Sequence, residues 1–472
     1  MSGVTAHIAH RGEGRRRVVI VGGGITGLTT AMYLARQTDP EDVEIVVREA
    51  DDRLGGKLRT TPFGGLPAVD EGADSFLARI PQALQLTADV GLSDELTSPT
   101  NAKPAVWFNG LHPIPEGLAL GVPGDVRRLA SSGLLSVKGK LRAALEPLLP
   151  RRAPIGDSIG RLIRIRFGDE VQDRLVDALI GSIYAADTDR FSLASVPQLA
   201  ALSDNRSLLL AARRSRAAAP ATSGPIFLAP VAGMARLVDA VVGEAAARGV
   251  AIQRSAPVTE LTLDGPGWRV DGAPADDVVL ATPAASTAPL LQPVAPEAAR
   301  LLANMEHAGV AIVTLLVADW PARLNQRSGY LVPKPVQRTV TAVSFASQKW
   351  AHWTTADNSE VLRVSLGRDG LRIDHLDDDE LIERAVDEVG RHLDHDLVPS
   401  GVRVSRWPAA FPQYRPYHQD WLASVEAALP PGLFIAGASY RGIGVAACIA
   451  QAAQTADTVA ASFDGPPATL SR

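Results

Sequence analysis

Three glycines, Gly22, Gly24 and Gly27, stand directly after a β-branched run at 17–21 and at the head of residues 25–37, where Ile25, Leu28, Met32 and Leu34 recur at helical spacing. A strand that turns through Gly-x-Gly-x-x-Gly into a helix admits few folds. Gly22 permits the tight turn, Gly24 lets the backbone approach a pyrophosphate with no Cβ in the way, and Gly27 allows close packing of helix on strand. The helix start then presents unpaired N–H groups and the positive end of its dipole to phosphates, with Gly23, Ile25 and Thr26 completing the turn. A second strand at 43–47 leads to Glu49, whose carboxylate suits a ribose 2′-hydroxyl and disfavours a 2′-phosphate. The pattern predicts a βαβ dinucleotide-binding unit. By itself it does not separate FAD from NAD.

Later glycine turns do. Arg53-Leu54-Gly55-Gly56-Lys57 follows Glu49 and frees two backbone N–H groups beside cations. Gly72-Ala73-Asp74-Ser75 makes a small-residue turn after a strand, suited to backbone contact with a flavin. Near the far end, Gly437 closes a strand at 433–436, and Ile443, Gly444 and Val445 open a helix running to about 462, a second helix N-terminus to face a flavin. The cofactor expected is therefore FAD, in a domain built from both ends of the chain.

A chain of 472 residues suggests about three domains' worth of material. A net charge of −5 argues against a protein that coats nucleic acid. Cys448 is the only cysteine, which excludes an internal disulfide or a cysteine zinc site. His392 and His395, on a charged helix expected at 378–394, read as incidental surface residues, and no metal is expected. Residues 1–14 read as a tail. Arg15-Arg16-Arg17 read as the start of a strand rather than a signal, because Gly22-Gly23-Gly24 interrupt the apolar run. No run of about 18 apolar residues occurs, so a cytoplasmic protein is expected. Residues 82–215 read as mostly helical and rich in arginine, 217–225 as a linker, and 309–318, 339–345 and 361–366 as strands.

Together these pieces resemble the flavin amine oxidase superfamily. Gly181-Ser182-Ile183-Tyr184-Ala185-Ala186-Asp187-Thr188-Asp189, Phe411-Pro412-Gln413-Tyr414 with His418, Asp74-Ser75-Phe76-Leu77-Ala78-Arg79 and Gly437-Ala438-Ser439-Tyr440 with Cys448 are similar to segments of the protoporphyrinogen/coproporphyrinogen oxidases. The likeness spans about residues 16–462. It departs at Ala186 and Tyr417, where glycine is usual, and at Ala446-Ala447, which replace an Asn-Asp pair. The resemblance implies an α/β fold: a discontinuous Rossmann-like FAD domain (1–80, 225–288 and 424–472), a helical domain (82–215), and an α+β substrate domain with a mixed sheet (289–423). It implies oxidation of a porphyrinogen in haem biosynthesis by repeated hydride transfer to flavin N5, with O₂ as acceptor and H₂O₂ as product. The segments 75–79 and 111–115 look more like the coproporphyrinogen III branch than the protoporphyrinogen IX branch. Another flavin amine oxidase or desaturase, or a non-catalytic flavin-binding module, are the competing readings.

No residue is expected as a catalytic acid or base, since the flavin carries the chemistry. For the substrate, Ile183, Tyr184, Leu331 and Phe345 are expected as pocket walls and Arg79 as the clamp for a propionate. In the family a strand at Val258 passes near the adenine, and Trp407 is expected to reach the flavin. The helical domain of some members touches membranes. Here its arginines read as a solvated face, because no long exposed apolar helix accompanies them. Product transfer to a downstream ferrochelatase is a further expected partnership.

Overall fold

The strand Arg16–Val21 pairs in parallel with Val43–Arg48 on one side and Asp277–Leu280 on the other. Ala251–Gln253 and Leu433–Ile435 complete a five-stranded, all-parallel sheet whose members come from three separate parts of the chain. These strands are continuous apolar runs because both sheet faces are covered. Helices Ile25–Gln37 and Val445–Ala461 pack against each other over one face, and Ala235–Ala247 joins them. The protein is a computed structural model in which residues 15–150, 156–218 and 224–463 are described. The expected tail at 1–14 and residues 219–223 of the expected linker lie outside them.

A second sheet has seven strands in the order Pro399–Pro412, His307–Val317, Glu360–Leu366, Val340–Phe345, Arg327–Leu331, Lys103–Trp107 and Leu111–Pro113. It is mixed, since Arg327–Leu331 runs parallel to Lys103–Trp107 while the other pairs are antiparallel. Helix Asp378–Leu393 covers one face, started by a capping box between Asp377 and Glu380. Its Leu381, Ala385 and Val389 meet Ala311, Val313 and Leu315 in one apolar core. The alternation of the strand then turns Val310 and Ile312 to the opposite face.

Helices dominate between Val126 and Ala218 around a separate core that includes Ile163, Phe167, Leu175 and Leu199. The expectation of a mostly helical 82–215 needs correcting at its start. Residues 96–123 hold five short strands, two of which extend the mixed sheet. Lys103–Trp107 enters that sheet beside Arg327–Leu331, more than two hundred residues away, a pairing that local periodicity could not reveal. Many arginines of this part, Arg127, Arg128 and Arg161 among them, are exposed as expected, but some bind inward. Arg166 is buried and forks onto buried Glu146, Arg164 binds Asp173 and Asp189, and Arg142 donates to the carbonyls of Ile165 and Arg166. Arg151 and Arg152 lie outside the described residues.

Candidate functional site

One cavity of about 660 Å³ runs between the parallel sheet and the mixed sheet. At one end it is lined by Gly22, Gly24, Ile25, Thr26, Glu49 and Val258, and farther along by Gly55, Gly56, Lys57, Gly72 and Ala73. Trp407, Gly437, Ile443, Gly444, Val445 and Cys448 line it near the second helix start. The three glycine turns and the C-terminal turn, far apart in sequence, thus converge on one space.

The local geometry explains the residue types. Gly22 has φ +109°, and a Cβ at Gly27 would sit 2.0 Å from the Gly22 carbonyl oxygen, so neither tolerates a side chain without moving backbone. A Cβ at Gly24 would meet nothing within 4 Å, which leaves that turn open to the cavity. Helices Ile25–Gln37 and Val445–Ala461 begin there with no side-chain cap and no acidic residue in the first turn. Their free N–H groups and dipole ends are left for an anion. Glu49 does not point idly: its Oε2 accepts from the Gly23 N–H at 2.6 Å and its Oε1 from Asp51 N–H at 2.9 Å. Two uncapped helix starts, a glycine face without Cβ atoms and a carboxylate at the far end fit FAD, and the volume falls in the usual range for ligand sites.

Gly23, Gly27, Arg53, Asp74 and Ser75 do not line the cavity; they shape it. Arg53 donates to the Gly56 carbonyl at 2.6 Å, holding the glycine doublet. Burial pushes the Asp74 carboxyl up, but Lys349 at 2.8 Å and Arg363 at 3.1 Å outweigh it and hold the group well below the usual carboxylate range. Ser75 donates to Asp74, and Trp407 donates to the Glu71 carbonyl at 3.1 Å, so this turn is fixed by its side chains while Gly72 and Ala73 face the cavity. Lys57 is half-buried by its neighbours and donates to the Ala410 carbonyl at 2.5 Å; burial pulls its ammonium down to about 8. Tyr414 and His418 buttress the C-terminal turn. The Tyr414 hydroxyl donates to Ala438 O at 2.6 Å and accepts from Gly442 N–H at 2.8 Å, and His418 bonds the Tyr440 carbonyl at 2.7 Å.

The expected substrate residues fare differently. Phe345 is fully buried on the helix-covered face of the mixed sheet, edge-on to Trp320 and Tyr330, and Leu331 does not reach the cavity. The strand at 339–345 was expected correctly, but not which of its faces looks inward. Ile183 is 54% exposed, and Tyr184 stacks on Phe191 instead of facing the cavity. Arg79 is exposed and outside the lining. The wall is formed by neighbours of the expected residues, Gly181, Ser182 and Ala185, and by Val310, Ile312, Thr341, Ser365 and Arg368. The family-like segment at 181–189 and the strands expected at 309–318, 339–345 and 361–366 signalled these neighbours, whereas nothing signalled Arg368. His392 is also not on the surface: its ring packs 3.9 Å from Trp107, and its Nδ1 lies 3.1 Å from the Tyr330 hydroxyl. Among the described residues no cluster suited to a metal occurs.

The sequence matches the flavin containing amine oxidoreductase family over residues 25–460. The chain belongs to that family. It is an FAD-dependent oxidoreductase. A coproporphyrinogen III oxidase of Mycobacterium leprae is 35% identical over 94% of this chain and 98% of its own length. The coproporphyrinogen III oxidase of Bacillus subtilis is 30% identical over 93% and 97%. A solved structure of a candidate protoporphyrinogen oxidase from Exiguobacterium sp. 255-15 superposes with a TM-score of 0.84 at 29% identity, covering 94% of this flavoprotein and 99% of the other chain.

Proposed function

We propose that the protein oxidises coproporphyrinogen III to coproporphyrin III in haem biosynthesis, with O₂ as acceptor and H₂O₂ as product. The observation that carries this reading is the near full-length likeness to coproporphyrinogen III oxidases from two bacterial lineages, in a chain whose cavity continues past the cofactor cradle to a second wall. FAD, when bound, accepts hydride equivalents from a carbon acid. The cofactor-binding roles fall to the residues that line or brace the cradle: Gly22, Gly23, Gly24, Ile25, Thr26, Gly27, Glu49, Arg53, Gly55, Gly56, Lys57, Gly72, Ala73, Asp74, Ser75, Val258, Trp407, Gly437, Ile443, Gly444 and Val445. Val310, Ile312 and Ala185 supply an apolar wall for a flat ring system and keep water from the reacting carbon. No Ser/His/Asp arrangement is needed, because the ring's protons can leave to solvent.

In this division the cradle comes from both chain ends and the ring-binding wall from the mixed sheet and the helical part, with 103–113, expected in the helical domain, belonging to the mixed sheet instead. The product would pass to a ferrochelatase. The test is anaerobic addition of coproporphyrinogen III to the purified yellow protein. Bleaching of the flavin absorbance without air, then growth of porphyrin fluorescence with peroxide release on admitting air, is the expected result. Protoporphyrinogen IX should react with a lower kcat/KM. A flavin-loaded protein inert to both porphyrinogens would overturn the reading.

A specific observation also favours contact with an anionic membrane surface. Val137, Leu141, Leu145 and Leu148 are 74%, 60%, 51% and 75% exposed, on helix Val137–Ala144 and the turn after it. Among the described residues no helix is long and apolar enough to cross a membrane.

A further inference from the structure

Arg368 and Asp177 form a buried ion pair at the cavity wall that the cofactor cradle does not use. Arg368 is 5% exposed and Asp177 fully buried. The guanidinium forks onto the carboxylate, Nη1 to Oδ2 at 2.8 Å and Nη2 to Oδ1 at 2.9 Å. Arg368 follows the strand Glu360–Leu366 of the mixed sheet, whereas Asp177 lies on the π-helix Gln172–Gly181 of the helical part. The pair therefore joins two separately built portions of the molecule, and it does so where both meet the cavity. π-Helical turns concentrate at functional positions because they cost stability elsewhere.

The same two side chains also hold the backbone of the segment that forms the wall. Arg368 donates to the carbonyl of Ala186. Asp177 Oδ1 accepts from the Thr188 N–H at 3.1 Å and from its hydroxyl at 2.6 Å. Ala185 adopts φ +45°, a conformation an L-residue leaves unless its surroundings hold it. The next residue of the sheet loop, Asp369, supplies one such restraint by donating its N–H to the Ala185 carbonyl at 2.8 Å. A Cβ at Gly181 would lie 2.7 Å from Arg368 Nη2, so the guanidinium fills the space that glycine leaves. Gly181, Ala185 and Arg368 all line the cavity.

We propose that Arg368 and Asp177 are positioning residues that clamp the 181–186 segment to the mixed sheet and so fix the width of the substrate end of the cavity. This rests on the porphyrinogen reading for its substrate, but the clamp itself is a property of the fold. Both Nη atoms of Arg368 are taken by Asp177 and by backbone, and Asp177 has Lys334 Nζ 3.9 Å away as a second cation. Only the Arg368 Nε, buried and without a hydrogen-bond partner among the described residues, is left over, so the main work of the two residues is structural. Their contribution is to ground-state and transition-state binding alike, which appears in KM.

The test uses the FAD-loaded full chain with Arg368→Lys, which keeps the cation but cannot fork. A buried charge left half-paired is costly, so the neutral pair Asp177→Asn/Arg368→Gln is made alongside and carries the test if the single variant does not fold. Three quantities are read: flavin content, KM and kcat for coproporphyrinogen III, and hydrogen exchange of the Ala186 and Thr188 amides. The expected result is unchanged flavin content, KM raised about tenfold, kcat changed less than about threefold, and exchange at both amides faster by about tenfold or more. An unchanged KM, or unchanged exchange, in a folded variant overturns the clamp. A wild-type protein that turns over neither porphyrinogen overturns the functional reading instead, and the exchange measurement then still decides the clamp.

Discussion

Tyr417 holds its place in the chain at a visible physical cost. Its φ of +68° lies in the left-handed region, where the family resemblance leads one to expect glycine. A left-handed conformation costs an L-residue about 1–2 kcal/mol, while glycine in its place returns roughly 0.5–1 kcal/mol of that as chain entropy lost on folding. The contact that fixes this corner is a backbone one, Tyr417 N–H to Asp157 Oδ2 at 2.7 Å, and glycine keeps it. The side chain is 58% exposed and gives up little packing. Tyr417→Gly should therefore stabilise the protein by about 0.5–1 kcal/mol, read as a higher denaturation midpoint with flavin content unchanged. A lower midpoint would mean that the ring packs better than its exposure suggests.

At the scale of elements, the two glycines Gly24 and Gly27 at the uncapped start of helix Ile25–Gln37 face different demands, and substitution can separate them. Gly24 has φ −75°, and a side chain there enters open cavity. Gly24→Val should fold with a near-normal melting curve yet purify colourless, because its methyl groups occupy the approach to the helix start. Gly27→Ala places a Cβ 2.0 Å from a backbone oxygen, and should lose flavin and about 1–3 kcal/mol of stability together. Absorbance near the flavin bands and thermal denaturation distinguish the two outcomes. A coloured Gly24→Val protein would remove that turn from the cofactor site. These glycines were legible in the sequence because their meaning is local: a turn between a strand and a helix, each with its own periodicity. The parallel sheet and the three other glycine turns were legible for the same reason. The substrate wall was not. Phe345 was placed on the right strand, but period two offers two faces and says nothing of which one a helix such as Asp378–Leu393 will cover. Leu331 was proposed without a strand at all, and it lies outside the lining. Arg368 and Asp177 pair across 191 positions of sequence, and nothing near either residue announces the other. Lys103–Trp107 joined the mixed sheet through Arg327–Leu331, a partner that nothing local announced.

At the scale of the whole molecule, the surface combines a net charge of −5 with one apolar stripe edged by cations. At 100° per residue, Val137, Leu141, Leu145 and Leu148 fall within one quadrant of helix Val137–Ala144 and its continuation, with Lys138 on one flank and Lys140 on the other. Gly139, Ala143 and Glu146 on the opposite side are buried. Lysines bordering an apolar stripe can lay their stems along lipid and keep their charges among anionic headgroups. Each leucine moved into the interface contributes about 1.5–3 kcal/mol at most, and each cation near an anionic surface about 1 kcal/mol. The sum supports reversible binding, not anchoring, and it requires negative lipid for Lys138 and Lys140 to act on, since the net charge of −5 is itself repelled by such a surface. The protein should therefore float with phosphatidylglycerol-containing vesicles, stay behind with purely zwitterionic ones, and be released by high salt. Leu141→Ser/Leu145→Ser should cut vesicle binding about tenfold or more while porphyrinogen turnover in detergent-free buffer is unchanged, since neither side chain touches the cavity. Equal binding to zwitterionic vesicles would assign the contact to the apolar stripe alone, and absence of binding to either would make the stripe a solvent-facing irregularity of the helical part.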